Sequence, residues 1–214
     1  QQGNAEIAPL FDAYGLIDVA GAAKIETINL YASGATSLEG IELFTHCKRI
    51  IAHETSSLVK ADFSKLKTDQ YLFVTMERSG ALEEVVAGPT ISRLDIYNCE
   101  KLKTVTFQSQ LNWTTSTSYG EIFYNSSVEK VVLYSGMETL GKNLFENAKQ
   151  LKIVTYDGYV PKNQADFEAG LENALPPRVT KVPYELFNNC SSLPSMDLSN
   201  ITEFEVYNTS SSYY

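Results

Sequence analysis

This 214-residue chain has no run of lysines and arginines, and its 26 acidic residues outnumber its 17 basic ones to give a formal net charge of −9. Phosphate recognition needs clustered basic side chains, so the balance argues against nucleic acid as a partner. No stretch approaches 18 uninterrupted apolar residues, which removes a membrane-spanning helix from consideration. The sequence also contains no basic n-region followed by an apolar h-region. Gln1-Gln2-Gly3-Asn4 fits a mature start from which a signal has been removed.

Three cysteines, Cys47, Cys99 and Cys190, are too few and odd in number for a disulfide framework. Nucleotide-binding and hydrolase signatures are missing too: no Gly-x-Gly-x-x-Gly, no phosphate loop and no Gly-x-Ser-x-Gly elbow occurs. His46, Cys47 and His53 are the one local group of metal-ligating types. Their spacing fits no zinc signature and a fourth ligand is wanting, so no metal and no cofactor is expected.

What the chain does contain is a recurring Leu-x-x-φ-x-φ motif, with φ apolar. It reads Leu38-Ile41-Leu43, Leu58-Ala61-Phe63, Leu82-Val85-Ala87, Leu102-Val105-Phe107, Val128-Val131-Leu133, Leu151-Val154-Tyr156 and Leu193-Met196-Leu198. The first positions lie 20, 24, 20, 26, 23 and 42 residues apart, the last close to two periods. A period of 20 to 26 belongs to leucine-rich repeats, in which each unit buries its apolar face only by stacking on its neighbours. The expected fold is therefore an α/β, strand-rich leucine-rich-repeat solenoid with a parallel sheet on one face.

The expected layout is an N-terminal helical cap over residues 1–24, the solenoid over 25–206, and a polar tail over 207–214. The cap rests on Ile7, Leu10, Phe11 and Tyr14, spaced as one helix face. A helical insertion is expected at about 161–177, where Phe167, Leu171, Ala174 and Leu175 keep helical spacing before Pro176 and Pro177.

Ahead of the leading Leu stands a small residue three positions back, and often a Phe three before that. Leu144-Phe145-x-x-Ala148-x-x-Leu151 and Leu186-Phe187-x-x-Cys190-x-x-Leu193 are the fullest copies. The cysteines thus read as small buried apolar residues, interchangeable with Ala148 and Ser79. This unit, Phe-x-x-(Cys/Ala)-x-x-Leu-x-x-φ-x-φ, resembles the BspA-like leucine-rich repeats of bacterial surface proteins. The resemblance covers residues 25–206. Ile91-Ser92-Arg93-Leu94 and Val179-Thr180-Lys181-Val182 match that family's second, weaker strand; the proline that follows its main strand is absent here. The resemblance implies a secreted or cell-surface location, a role in adhesion or host-protein contact, and no catalytic residues to carry over.

The residues between the φ positions should face outward and stack into one row: Glu42, Asp62, Val86, Thr106, Val132, Thr155 and Asp197. Phe44, Ser64 and Tyr134 flank it on the same face. From this row Glu42, Asp62, Thr106, Tyr134, Thr155 and Asp197 are the candidate ligand-binding residues. Trp113, the lone tryptophan, joins them from a polar insertion that lengthens one repeat. The leading functional reading is non-catalytic recognition of a protein or glycan through this sheet face. A carbohydrate-processing enzyme or its binding subunit would instead use stacked carboxylates, Glu42 beside Asp62, one with a raised pKa. A structural spacer would have a featureless row and no ligand.

Overall fold

The computed structural model describes residues 17–112, 122–123 and 126–206. The cap residues Ile7 to Tyr14, Trp113 and the polar tail lie outside these. Along the chain come a one-turn helix α1 (Val19–Ala22), β1 (Thr27–Asn29), a 3-10 turn (Ile41–Leu43), β2 (Arg49–His53), β3 (Lys60–Asp62), β4 (Leu72–Glu77) and β5 (Glu84–Ala87). There follow β6 (Ile91–Tyr97), β7 (Thr104–Phe107), β8 (Lys130–Leu133), β9 (Ile153–Tyr156), α2 (Gln164–Glu168), β10 (Lys181–Val182) and β11 (Glu203–Phe204).

Every strand pairing among the described residues is parallel. Two long sheets result, a four-stranded one in the order β1-β2-β4-β6 and a five-stranded one in the order β3-β5-β7-β8-β9. The chain is a leucine-rich-repeat solenoid in which each early coil contributes one strand to each sheet. Register makes the repeat explicit: Ile28, Ile50, Val74 and Leu94 line up across the four-stranded sheet. Ala61, Val85, Val105, Val131 and Val154 line up across the five-stranded one. All nine are buried, none more than 2% exposed. The weaker lead-in strands thus form a full second sheet rather than an accessory to the first. β10 and β11 make a separate parallel pair near the end of the described chain.

The leading residues Leu58, Leu82, Leu102, Val128 and Leu151 fill the core beneath the five-stranded sheet, at 0 or 1% exposure. Cys47, Ser79, Cys99 and Ala148 take the small buried positions beside them. Phe123, Phe145 and Phe187 stack face to face across successive coils, with centroids 6.3 and 5.4 Å apart and planes within 11°. The turns after the four-stranded sheet repeat as well: Ala32, Glu54, Arg78 and Asn98 all sit at φ between 48° and 54°. This left-handed geometry is costly for residues with a Cβ, and here it recurs at the coil period.

One copy of the motif does not form a strand. At Leu38-Ile41-Leu43, Gly40 takes φ of 89° and the chain turns into the 3-10 helix Ile41–Leu43. Ile41 and Phe44, three residues apart, are buried on one side of that turn. The apolar spacing expected to make a strand is satisfied equally well by a tight turn.

The inserted helix is also shorter than the 161–177 segment, spanning only Gln164–Glu168. Asn163 caps it by accepting the amides of Ala165 and Asp166. Glu172 in turn accepts the amides of Lys162 and Asn163, both at 2.6 Å, so the segment closes on itself.

Candidate functional site

Parallel pairing holds the outward side chains of the five-stranded sheet in two rows. Lys60, Glu84, Thr104, Lys130 and Ile153 share one register; Asp62, Val86, Thr106 and Val132 with Thr155 share the next. Of the expected row, the structure brings Asp62, Thr106 and Thr155 into this sheet. Thr106 lies half-buried between Val86 and Val132. Tyr134 follows the end of β8, and its side chain lies directly over Gly136, where an added Cβ would come within 2.7 Å of two ring carbons and the hydroxyl oxygen.

Three expectations are corrected. Glu42 lies on the 3-10 turn, and β3, which carries Asp62, pairs among the described residues with β5 alone. Phe44 faces the core instead of flanking the outer row. Thr155 is 4% exposed, and its hydroxyl finds no hydrogen-bond partner among the described residues. The inserted segment packs on the sheet next to this position. Phe167 from α2 lies under the Lys130 ammonium at 5.5 Å, and Tyr159 links Phe167 to Tyr156 with ring centroids 6.0 and 5.3 Å apart. The inserted segment therefore packs at the β9 end of the sheet, and the part of the outer face that is at least partly open to solvent runs from β3 to β8.

Asp62 and Asp197 share a local role. Each accepts the amide of the serine two residues on, Ser64 and Ser199, at 2.9 Å, and so closes the turn after its strand position. Asp197 stands in an isolated parallel bridge with Ala174, beyond the named sheets. Burial alone would push the Asp62 carboxyl up, but the Ser64 hydroxyl and amide together with Lys60 outweigh it and hold it below the usual carboxylate range. Lys60 bridges Asp62 at 3.5 Å and Glu84 at 3.0 Å. A stacked Glu42–Asp62 pair with one raised pKa is thus not what the fold builds; Asp62 and Glu84, from adjacent rows of this face, share the Lys60 cation instead.

The thiols behave as core. Cys47 and Cys99 are fully buried and donate to the carbonyls of Arg49 and Tyr97, while half-buried Cys190 donates to that of Phe145. Burial pushes all three up, Cys99 and Cys190 to about 11. Thiolate is the reactive form. A chromogenic disulfide reagent at pH 8 is therefore expected to label at most Cys190, and slowly, in the folded protein. All three should react at once in denaturant. Rapid labelling of three thiols under native conditions would contradict this packing.

The densest chemical grouping lies on the other sheet, and reading the main motif alone misses it. Across β2, β4 and β6 the outward positions Arg49, Phe73 and Arg93 are in register. The guanidinium carbons of Arg49 and Arg93 stand 5.6 and 4.6 Å from the Phe73 ring centroid. Arg93 is also clamped by Asp95, two residues along β6, at 2.8 and 3.1 Å to one carboxylate oxygen and 3.3 Å to the other. Burial and the neighbouring Asp95 push the Tyr97 hydroxyl well above its usual range.

In the next rows His53 Nε2 and Thr75 Oγ1 are 2.9 Å apart, and His53 Nδ1 is 3.6 Å from Glu77. Desolvation lowers the His53 pKa despite that carboxylate. Arg78 binds Glu77 at 2.9 Å and Glu54 at 3.7 Å. The signal available in sequence was a partial alternation: Ile50, Ala52, Leu72, Val74, Met76, Leu94 and Ile96 interleave with Arg49, His53, Phe73, Thr75, Glu77, Arg93, Asp95 and Tyr97, but outward Ile51 and the extra Ser92 interrupt the pattern.

No group of three or more His, Cys, Asp or Glu side chains among the described residues is arranged to hold a metal ion. No described helix is long and apolar enough to cross a membrane. No curated protein and no solved structure matches the chain. A family model does: that of the BspA type leucine-rich repeat region matches six copies over residues 86–167 and 170–212, more than half of the chain. The coils before residue 86 carry the same register and the same buried positions. Repeat geometry and family match converge, and the chain belongs to the BspA-type leucine-rich repeat family.

Proposed function

We propose that this protein is a non-catalytic recognition module, secreted or attached to a cell surface, that binds a protein or glycan through the outer face of the five-stranded sheet. The observation carrying this reading is the in-register face from β3 to β8, where Lys60, Asp62, Glu84, Thr104, Thr106, Lys130 and Val132 remain partly open to solvent. Parallel strands repeat such side chains at single-strand spacing, roughly 5 Å, which suits broad contact with an extended ligand rather than a closed pocket. Family membership favours the same class, since these repeats serve as surface and adhesion scaffolds and are generally non-catalytic.

The test is a screen of the purified chain against a glycan array and immobilised matrix and serum proteins, beside a Asp62→Ala/Thr106→Ala/Tyr134→Ala variant. A ligand that binds the parent and is lost by at least ~10-fold in the variant, about 1.4 kcal/mol, is the expected result. A ligand held equally by both proteins would remove the site from this face. Silence across the panel would favour the spacer role.

A further inference from the structure

We propose that the outer face of the four-stranded sheet carries a second binding site, in which Arg49 takes a single carboxylate of a protein partner and Phe73 and Tyr71 take the apolar or aromatic group beside it. The inference goes beyond the recognition role of the five-stranded sheet and stands on different residues. Two arginines flank one phenylalanine here, and they are not equivalent. Arg93 is already paired through Nε and Nη2 with Asp95 on its own strand, which neutralises its charge. Arg49 is exposed, its guanidinium makes no ion pair among the described residues, and its guanidinium carbon stands 5.6 Å from the Phe73 ring centroid. A planar fork that holds no ion pair among the described residues and stands beside an aromatic ring is suited to bidentate contact with a carboxylate. Tyr71, nearly half exposed, precedes β4 by one residue and by strand alternation shares the face of Phe73. Arginine with tyrosine and phenylalanine is the composition from which interface hot spots are built.

Charge decides the class of partner. Around Arg49 the other cations are already paired, Lys48 with Glu26 at 2.5 Å and Arg93 with Asp95 at 2.8 Å, which leaves one uncompensated positive charge on a chain of net charge −9. A polysulfated or polyphosphorylated ligand would meet that one charge and be repelled by the rest of the surface. An isolated Asp or Glu side chain beside an aromatic residue on a protein surface meets the fork without that penalty.

The experiment titrates the full chain, labelled with nitrogen-15, with the capped tripeptide acetyl-Tyr-Glu-Tyr-amide and its Gln counterpart. Inorganic phosphate and a sulfated disaccharide serve as comparison ligands. The expected result is shifts of β2, β4 and β6 amides by the Glu peptide with a roughly millimolar dissociation constant, at least ~5-fold weaker with Gln. Arg49→Gln should erase the Glu preference, Arg49→Lys should keep part of it, and Phe73→Leu should weaken both peptides. Arg49 is exposed, so an unchanged amide spectrum elsewhere separates loss of the site from loss of fold. Equal binding of the Glu and Gln peptides, shifts confined to β3, β5, β7 and β8, or phosphate binding as tightly as the Glu peptide would each overturn the proposal.

Discussion

Replacing Phe145 with alanine is expected to cost about 3–5 kcal/mol of stability, the range for truncating a fully buried phenylalanine. Phe145 has no exposed surface and is the middle ring of three, stacked on Phe123 and Phe187. Each aromatic pair adds about 0.5–1.5 kcal/mol beyond area, so the central ring loses two such terms where an end ring loses one. Phe187, half-buried at the outer end of the stack, should therefore cost clearly less on truncation. Urea unfolding of the two single variants, followed by tryptophan fluorescence and by circular dichroism, gives the ranking. Equal losses at 145 and 187 would mean that the rings act as independent core residues and that stacking between coils contributes little. The backbone of Phe145 adds a further link, because its carbonyl receives the Cys190 thiol from the next coil. Alanine leaves that bond possible, so the deficit measured is that of the ring.

The stack shows which parts of this molecule were legible in sequence. Phe145, Ala148 and Leu151 are named by spacing alone, because the core positions of a solenoid recur at a fixed period and any one copy helps to read the others. Val85, Val105, Val131 and Val154 were placed in the same way, and all are fully buried. Spacing fails where two local structures bury the same positions. Ile41 and Phe44 satisfy a 3-10 turn as well as a strand, and the deciding residue is Gly40, whose left-handed φ the motif does not encode. It fails again where distant segments fold over a repeat. Thr155 is outward by alternation and buried in fact, on the strand beside which Tyr159 and Phe167, 4 and 12 residues on, pack together.

The Arg49–Phe73–Arg93 row was hidden for a third reason. Its members are 24 and 20 residues apart in lead-in strands of irregular composition, and only the parallel register brings them together. Outward residues have no apolar periodicity to reveal them.

Asn173 is the other position where a single substitution should act far beyond its size. This side chain is 1% exposed, and its amide nitrogen lies within hydrogen-bond reach of three carbonyls: Lys152 at 3.0 Å, Gly170 at 2.6 Å and Ser195 at 3.0 Å. Its Oδ1 accepts the buried amide of Val154 at 2.9 Å. One residue thus ties together β9, the turn after α2 and the following coil, in the stretch where Ala174 and Asp197 form only an isolated bridge. Gly170 completes the junction. It sits at φ of 77°, and a Cβ there would lie 2.5 Å from the Lys152 carbonyl.

Asn173→Leu keeps the γ-branched shape and the number of side-chain heavy atoms, at a larger volume, and removes every donor and acceptor. A buried backbone group left unpaired costs about 1–3 kcal/mol, so the loss should reach roughly 3–5 kcal/mol. In a solenoid that loss stays with its neighbours, since each coil contacts only the coils beside it. Hydrogen exchange should therefore show residues 170–206 and the Val154 amide opening in the variant, with β3, β5 and β7 protected as before. Asn173→Asp should do no better than Leu, because a carboxylate donates nothing to the three carbonyls and is itself desolvated. Uniform loss of protection along the whole chain would show that the array unfolds as one unit. Unchanged protection at Val154 would show that water replaces the side chain at the junction.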